Sequence, residues 1–293
     1  VEVESLPYVL ATEGLDYTYP NGTRALKGVS LKIPKGSKAA ILGPNGAGKS
    51  TLFLHFNGIL KPQRGKVIYE GQELRYDRTS LLNLRQKVGI VFQDPDTQLF
   101  SASVVQEVSF GPFNLGLPEA EVKKRVEKAL ALTGIEDLAD KPTHFLSYGQ
   151  KKRVCLAAVL AMEPEVLILD EPTAYLDPQL VRQLIDFLEE LHRQGRTVIL
   201  STHDVDLAYT WADQVFILKA GELVTSGRPE EVFADRKLVE EAGLTLPWIW
   251  EVYQRLRELG WPVKALPPHS KEELLRELPC PIYRSEERTL LIS

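Results

Sequence analysis

Residues 39–51 read AAILGPNGAGKST. The apolar run Ala39–Leu42 leads into three glycines within six positions, and then into a lysine, a serine and a threonine. A strand that ends in so much backbone freedom needs a reason. Gly43 to Ser50 fits the pattern G-x-x-x-x-G-K-[ST]. The glycines let successive backbone N–H groups turn inward without Cβ clashes, and a helix opening near Lys49 adds its positive end. Gly43, Pro44, Asn45, Gly46, Ala47, Gly48, Lys49, Ser50 and Thr51 are therefore the candidate phosphate cradle. Lys49 is placed to reach β- and γ-phosphates, and Ser50 to hold Mg²⁺. The plain alternative is a glycine-rich turn with a chance lysine. Context argues against it, because STLFLHFNGIL (50–60) follows and reads as an amphipathic helix.

A phosphate cradle of this kind needs a metal-coordinating acid at a strand end. VLILDEP (166–172) supplies Asp170 after an apolar run. Glu171 follows directly and is the natural water-activating carboxylate, with a helix-start acid paired to the helix dipole as its alternative.

The composition is that of an ordinary globular protein: 293 residues, 44% hydrophobic, 26% charged, net charge −5. No global basic field points to nucleic acid. Cys155 and Cys280 are the two cysteines, in no metal or redox spacing, so a reducing compartment fits better than a disulfide framework. No apolar run reaches the roughly 18 residues needed to cross a bilayer. The chain is expected to be soluble and to meet a membrane only by docking on a membrane protein.

The first third reads mainly as strands: YVLATEGLDYTY, GVSLKI, KAAILG, KVIYEG and KVGIVFQ. From about 94 to 164 a helical period takes over, with Val122, Val126, Leu130 and Leu132 in EAEVKKRVEKALALTGI. The apolar strands EVLILD (165–170) and TVILST (197–202) flank the helical DPQLVRQLIDFLEELHRQG, which Gly195 is placed to stop. Strand, helix, strand with continuous apolar strands means a parallel sheet covered on both faces.

Six motifs in this order, GPNGAGKST, VFQDP, LSYGQ, VLILDEP, AYLDP and STHD, resemble those of ATP-binding-cassette ATPases over residues 8–225. The resemblance implies an α/β fold. It would have a P-loop NTPase core, an N-terminal antiparallel β subdomain, a helical signature subdomain and a small C-terminal helical extension. Residues 1–227 would form the nucleotide-binding domain, with the helical subdomain at about 94–164, and residues 228–293 the extension.

The resemblance also implies roles. Tyr19 would stack on adenine, with Tyr17 its rival. Gln93 would contact Mg²⁺ and the attacking water, and His203 would bond the γ-phosphate. Ser147, Gly149 and Gln150 would cap the nucleotide of an opposite subunit, so that two copies close head to tail over two ATP molecules. Asp177 would link the subunits. Tyr175 stands where many relatives carry a small residue. The other histidines, His55, His144, His192 and His269, are read as structural or surface groups.

A metabolic P-loop kinase has no use for LSYGQ. DNA-repair members would need long coiled coils, and translation members usually carry two cassettes. The stretch 92–118, with FNGILKP and DKPTHFLSYGQKKR, is most similar to ATPases of energy-coupling-factor importers, the cobalt/nickel branch in particular. That implies a peripheral subunit on the cytoplasmic face of the cell membrane, hydrolysing ATP with Mg²⁺. Its partners would be a second, identical ATPase subunit, a transmembrane coupling protein and a substrate-binding membrane protein. A vitamin importer of the same class and a soluble non-transport ATPase remain as alternatives. Phe100, Val104, Val105, Val108, Phe110 and Phe113 could line a groove for a partner's helix, or form core between subdomains. In the tail, Trp248, Ile249, Trp250, Val252, Tyr253, Leu256, Leu259 and Trp261 approximate a helical stripe suited to self-association or to a small core of its own.

Overall fold

The computed structural model describes residues 8–264 and 266–277. Cys280 and the first seven residues lie outside them. The strands are β1 (Tyr8–Thr18), β2 (Arg24–Pro34), β3 (Lys38–Leu42), β4 (Arg64–Tyr69), β5 (Gln72–Glu73), β6 (Val88–Val91), β7 (Val166–Leu169), β8 (Thr197–Thr202), β9 (Gln214–Lys219) and β10 (Glu222–Gly227). The helices up to the first half of the chain are α1 (Lys49–Phe56), α2 (Arg78–Lys87), α3 (Val104–Asn114) and α4 (Glu119–Thr133). They are followed by α5 (Tyr148–Leu160), α6 (Pro178–Arg193) and α7 (Val205–Trp211). The last four are α8 (Pro229–Ala234), α9 (Arg236–Glu241), α10 (Trp248–Glu258) and α11 (Lys271–Glu277).

Two sheets result. One is antiparallel, in the order β2-β1-β4-β5. The other runs β10-β9-β3-β8-β7-β6 and is parallel except at the β9–β10 edge. Every residue of β6, β7 and β8 is buried, as expected of strands covered on both faces. The fold is the mixed α/β arrangement that the motif order implied.

The phosphate-loop helix differs from its reading. α1 is not amphipathic: Lys49, Thr51, Leu52, Phe53, His55 and Phe56 are all buried. The helix is enclosed on nearly every side, because Leu52, Phe53 and Phe56 join the core formed with residues of β1, β2 and β3. His55 is fully buried, and its Nδ1 lies 2.7 Å from the Thr51 carbonyl oxygen.

α3, α4 and α5 pack on one another, with Val122, Val126 and Leu130 inward, while Leu132 is only half-buried. Pro178 opens α6, and the Asp177 side chain caps it, accepting from the N–H groups of Gln179 and Leu180 at 2.9 and 3.0 Å. After β10, α8 packs against α7 and α9 against α8, while Tyr209 of α7 meets Phe233 of α8 and Trp250 of α10 edge-on. Tyr209 donates its hydroxyl to the Pro267 carbonyl at 3.0 Å, and Asp206 accepts from the Trp248 N–H at 2.7 Å. α10 buries Ile249, Trp250 and Tyr253 but leaves Trp248 and Val252 exposed, with Leu259 and Trp261 exposed just beyond it. The stripe read from the tail is thus two faces, one of them core.

Candidate functional site

The loop after β3 takes its path through glycines that no other residue could replace. A Cβ on Gly43 (φ +153°) would lie 2.2 Å from the Leu218 carbonyl oxygen. One on Gly48 (φ +104°) would lie 2.6 Å from that of Ala25. The loop therefore sits against backbone of β9 and β2, and α1 opens at its end. Tyr19, Asn45–Thr51, Gln93, Asp170 and Glu171 line one cavity, together with Thr23, Arg24 and Ala25. Tyr19, not Tyr17, is the wall residue: its hydroxyl lies 3.1 Å from Thr51 Oγ1. Tyr17 packs behind it, edge-on to Tyr19 and to the buried His55. An adjoining hollow shares Asn45, Gln93 and Glu171 and adds His203 and Tyr175.

The charges meet at Glu171. Lys49 Nζ lies 3.2 Å from its Oε1, and His203 Nδ1 lies 3.0 Å from its Oε2. Lys49 and Glu171 are buried, whereas His203 is exposed. The lysine's hydrogen bonds run instead to the carbonyls of Gly43 (2.7 Å) and Pro44 (3.4 Å), so Glu171 Oε1 is a buried oxygen with no hydrogen-bond partner among the described residues. Ser201 binds the acidic pair together. It donates to Asp170 Oδ1 at 2.5 Å and accepts from the Glu171 N–H at 2.8 Å.

Ser50, Gln93 and Asp170 offer hydroxyl, amide and carboxylate oxygens to the cavity, the hard donors that Mg²⁺ takes. Among the described residues no cluster of three or more His, Cys, Asp or Glu could hold a metal by itself. That donor set suits an ion shared with a phosphate chain.

Ser147, Gly149 and Gln150 do not join the phosphate-loop cavity. They open α5 in a capping box: Ser147 Oγ accepts from the Gln150 N–H, and Gln150 Oε1 accepts from the Ser147 N–H. A Cβ on Gly149 would lie 3.3 Å from the Leu180 side chain and 3.8 Å from that of Leu176. Ser201 and the buried Lys152, which meets the backbone after β7, were not singled out from the sequence. Both stand inside motifs that were read, STHD and LSYGQKKR, yet their partners are distant along the chain.

The candidate groove at 92–118 divides in two. Val104 and Val108 are fully buried and Val105 packs against the core, while Phe100, Phe110 and Phe113 are 65%, 50% and 73% exposed. Val104 and Val108 join the core that α3 shares with α4 and α5, which removes them from the surface, while Val105 is half-buried at its edge. Glu107, itself buried, accepts from the N–H groups of Phe100 and Ser101 and so holds the loop that displays Phe100.

The pattern of the ABC transporter family matches residues 26–174, and the chain is an ABC ATPase that binds and hydrolyses ATP. Curated relatives refine this. A Clostridium perfringens protein named energy-coupling factor transporter ATP-binding protein EcfA3 is 52% identical over 86% of this chain and 88% of its own length. A Methanocaldococcus jannaschii EcfA is 49% identical over 86% of this chain and 90% of its own. The chain belongs with these energy-coupling factor ATP-binding proteins. Among solved structures, cbiO1 of Clostridium perfringens, described as part of the ABC transporter complex cbiONQ, matches with a TM-score of 0.71 at 52% identity. That match covers 85% of this chain and 99% of the other. The dimeric ATP-binding cassette MJ0796, bound to ADP and Pi, matches at 0.70 and 28% identity, covering 75% and 98%.

Proposed function

We propose that the chain is the ATP-hydrolysing motor of an energy-coupling-factor importer for cobalt or nickel ions, working as a homodimer against membrane partners. The observation that carries the motor reading is Glu171, a buried carboxylate held between Lys49 and His203 at the mouth of the phosphate loop. In this reading Tyr19 stacks on the adenine, and residues 43–51 wrap the phosphates. Glu171 orients and deprotonates the attacking water, which Gln93 helps to hold. Lys49 and His203 offset charge gathering on the transferred phosphoryl group. Ser50, Gln93 and Asp170 would hold Mg²⁺, which when bound neutralises charge between the β- and γ-phosphates.

The signature residues Ser147, Gly149 and Gln150 serve the other copy's nucleotide. Their position outside this chain's own phosphate cavity supports that, as does the likeness to a dimeric cassette. Both half-sites are present in one sequence, which favours identical partners. Asp177 and Tyr175 lie close to the subunit contact in this reading, and the extension from 228 adds its exposed Trp248, Val252, Leu259 and Trp261 to self-association. Phe100, Phe110 and Phe113 receive a helix of the membrane coupling protein. In this reading that contact holds the chain at the cytoplasmic face of the membrane; no helix among the described residues is long and apolar enough to cross a membrane.

The cobalt or nickel cargo rests on the resemblance at 92–118 and on the likeness to cbiO1. The energy-coupling-factor names of the curated relatives specify no cargo, which keeps a vitamin importer of the same class as the second reading. Affinity purification from membranes of the native host tests both. Recovery of a small coupling protein with a metal-specific binding protein supports the first, and a vitamin-binding partner the second. Recovery with ribosomes or DNA contradicts both.

A further inference from the structure

The backbone just after β7 is strained. Glu171 (φ +44°) and Tyr175 (φ +62°) are both non-glycine residues in the left-handed region. Such conformations are costly for a residue with a side chain and persist only where the surroundings hold them. The carbonyls of this stretch converge on a single atom. Lys152 Nζ donates to Glu171 O at 3.2 Å, Pro172 O at 3.0 Å and Ala174 O at 3.0 Å. An ammonium has three protons, and each finds one of these oxygens. Lys152 is only 8% exposed. Leu156, Leu169, Leu176 and Leu180 line the apolar cavity beside it. Burial brings its pKa down to about 8, opposed by the charge of Glu171.

Lys152 also belongs to the signature helix, two residues after Gln150. Its Nζ lies 5.4 Å from the centroid of the Tyr148 ring. Tyr148 in turn donates its hydroxyl to the Gln93 carbonyl at 3.1 Å and meets Tyr175 edge-on. Gln93, Glu171 and Ser147 are thus tied through two side chains of one helical turn and the next.

We propose that Lys152 and Tyr148 are positioning residues that hold Glu171 and Gln93 in register with the signature helix, so that one half-site's water-activating carboxylate and the surface offered to the partner's nucleotide move as one body. This rests on the proposed roles of Glu171 and Ser147. Neither side chain touches nucleotide in this scheme; both act through the backbone they grip. Removing the ammonium takes a donor from all three carbonyls, of which Glu171 O keeps only the Ala174 N–H at 3.1 Å; the strained segment can then relax, which misplaces Glu171 without altering the phosphate loop.

The test is steady-state ATP hydrolysis by the full chain as wild type, Lys152→Met, Lys152→Arg, Tyr148→Phe and Glu171→Gln, with affinity for a fluorescent ATP analogue measured alongside. Lys152→Met is expected to lose about tenfold or more in kcat while nucleotide affinity stays within about threefold, and Lys152→Arg, which keeps charge and donors, to recover most of that loss. Tyr148→Phe, which deletes one hydroxyl, is expected to lower kcat about threefold at unchanged affinity, and it carries the test if Lys152→Met does not fold. Wild-type kcat in Lys152→Met, or in Tyr148→Phe where the methionine variant cannot be measured, overturns the proposal. So does a loss of affinity equal to the loss of kcat. Glu171→Gln separates the two levels: full activity there defeats the role of Glu171 itself, whereas an inactive Glu171→Gln beside a fully active Lys152→Met defeats only the positioning role.

Discussion

His203 Nδ1 lies 3.0 Å from Oε2 of Glu171. The histidine follows β8 and is exposed; the glutamate follows β7 and is buried. The two are brought together because β7 and β8 are parallel neighbours, so their C-terminal ends open on the same side of the sheet. Ligands of open α/β sheets bind at that end.

If Glu171 is the water-activating base, Glu171→Gln keeps the shape and removes the proton acceptor. The expected outcome is a fall in kcat of about a hundredfold or more with ATP affinity retained. Phosphate release under steady-state conditions measures the first, and equilibrium titration the second.

Ser201 satisfies two buried groups at once, the Asp170 carboxylate and the Glu171 N–H. Ser201→Ala leaves both without that partner. A stability loss of about 1–3 kcal/mol is expected, together with lower activity, and urea unfolding beside an ATPase assay reads them.

His55 is fully buried, and its Nε2 has no hydrogen-bond partner among the described residues. Burial lowers its pKa below 6.5, partly offset by the hydrogen bond to Thr51. The unfolded chain takes a proton on this ring near pH 6.5 while the folded chain resists it. Its contribution to stability is therefore complete above that pH and is lost as the pH falls toward the depressed folded value. Unfolding curves from pH 7.5 to 5 should show a smaller decline in His55→Gln than in wild type.

Phe113 stands 73% exposed beside the edge-on pair Phe100 and Phe110. Phe113→Asp should abolish retention of the subunit on membranes containing its coupling protein, with a melting temperature within about 2 °C of wild type, since surface substitutions are usually near neutral for stability. Co-sedimentation and a thermal melt check it.

The candidate phosphate loop was legible because its pattern is local: residues 43–51 are consecutive, and 45–51 of them line the cavity, Gly43 and Pro44 lying outside its lining. Asp170 and Glu171 were legible for the same reason, at the end of one apolar strand. Lys152 was not, because its purpose lies in three carbonyls roughly 20 residues further along the chain. Ser201 depends likewise on a neighbouring strand. Which of Tyr17 and Tyr19 lines the cavity depended on the position of His55, against which Tyr17 packs. α1 was misread as amphipathic because residues of two sheets close over it. Val104 and Phe100 looked alike as apolar residues, and only the packing of α3 on α5 separates core from surface.

In the proposed dimer, one copy's phosphate loop and the other copy's signature helix grip the same ATP. Light scattering of Glu171→Gln with MgATP, with bound nucleotide counted per chain, tests it most directly, beside a second sample carrying Ser147→Arg as well. A nucleotide-dependent dimer holding two ATP is expected in the first, and chains that still bind ATP but no longer pair through it in the second. ATP-loaded monomers of Glu171→Gln, or an ATP-dependent dimer indifferent to Ser147→Arg, would contradict it.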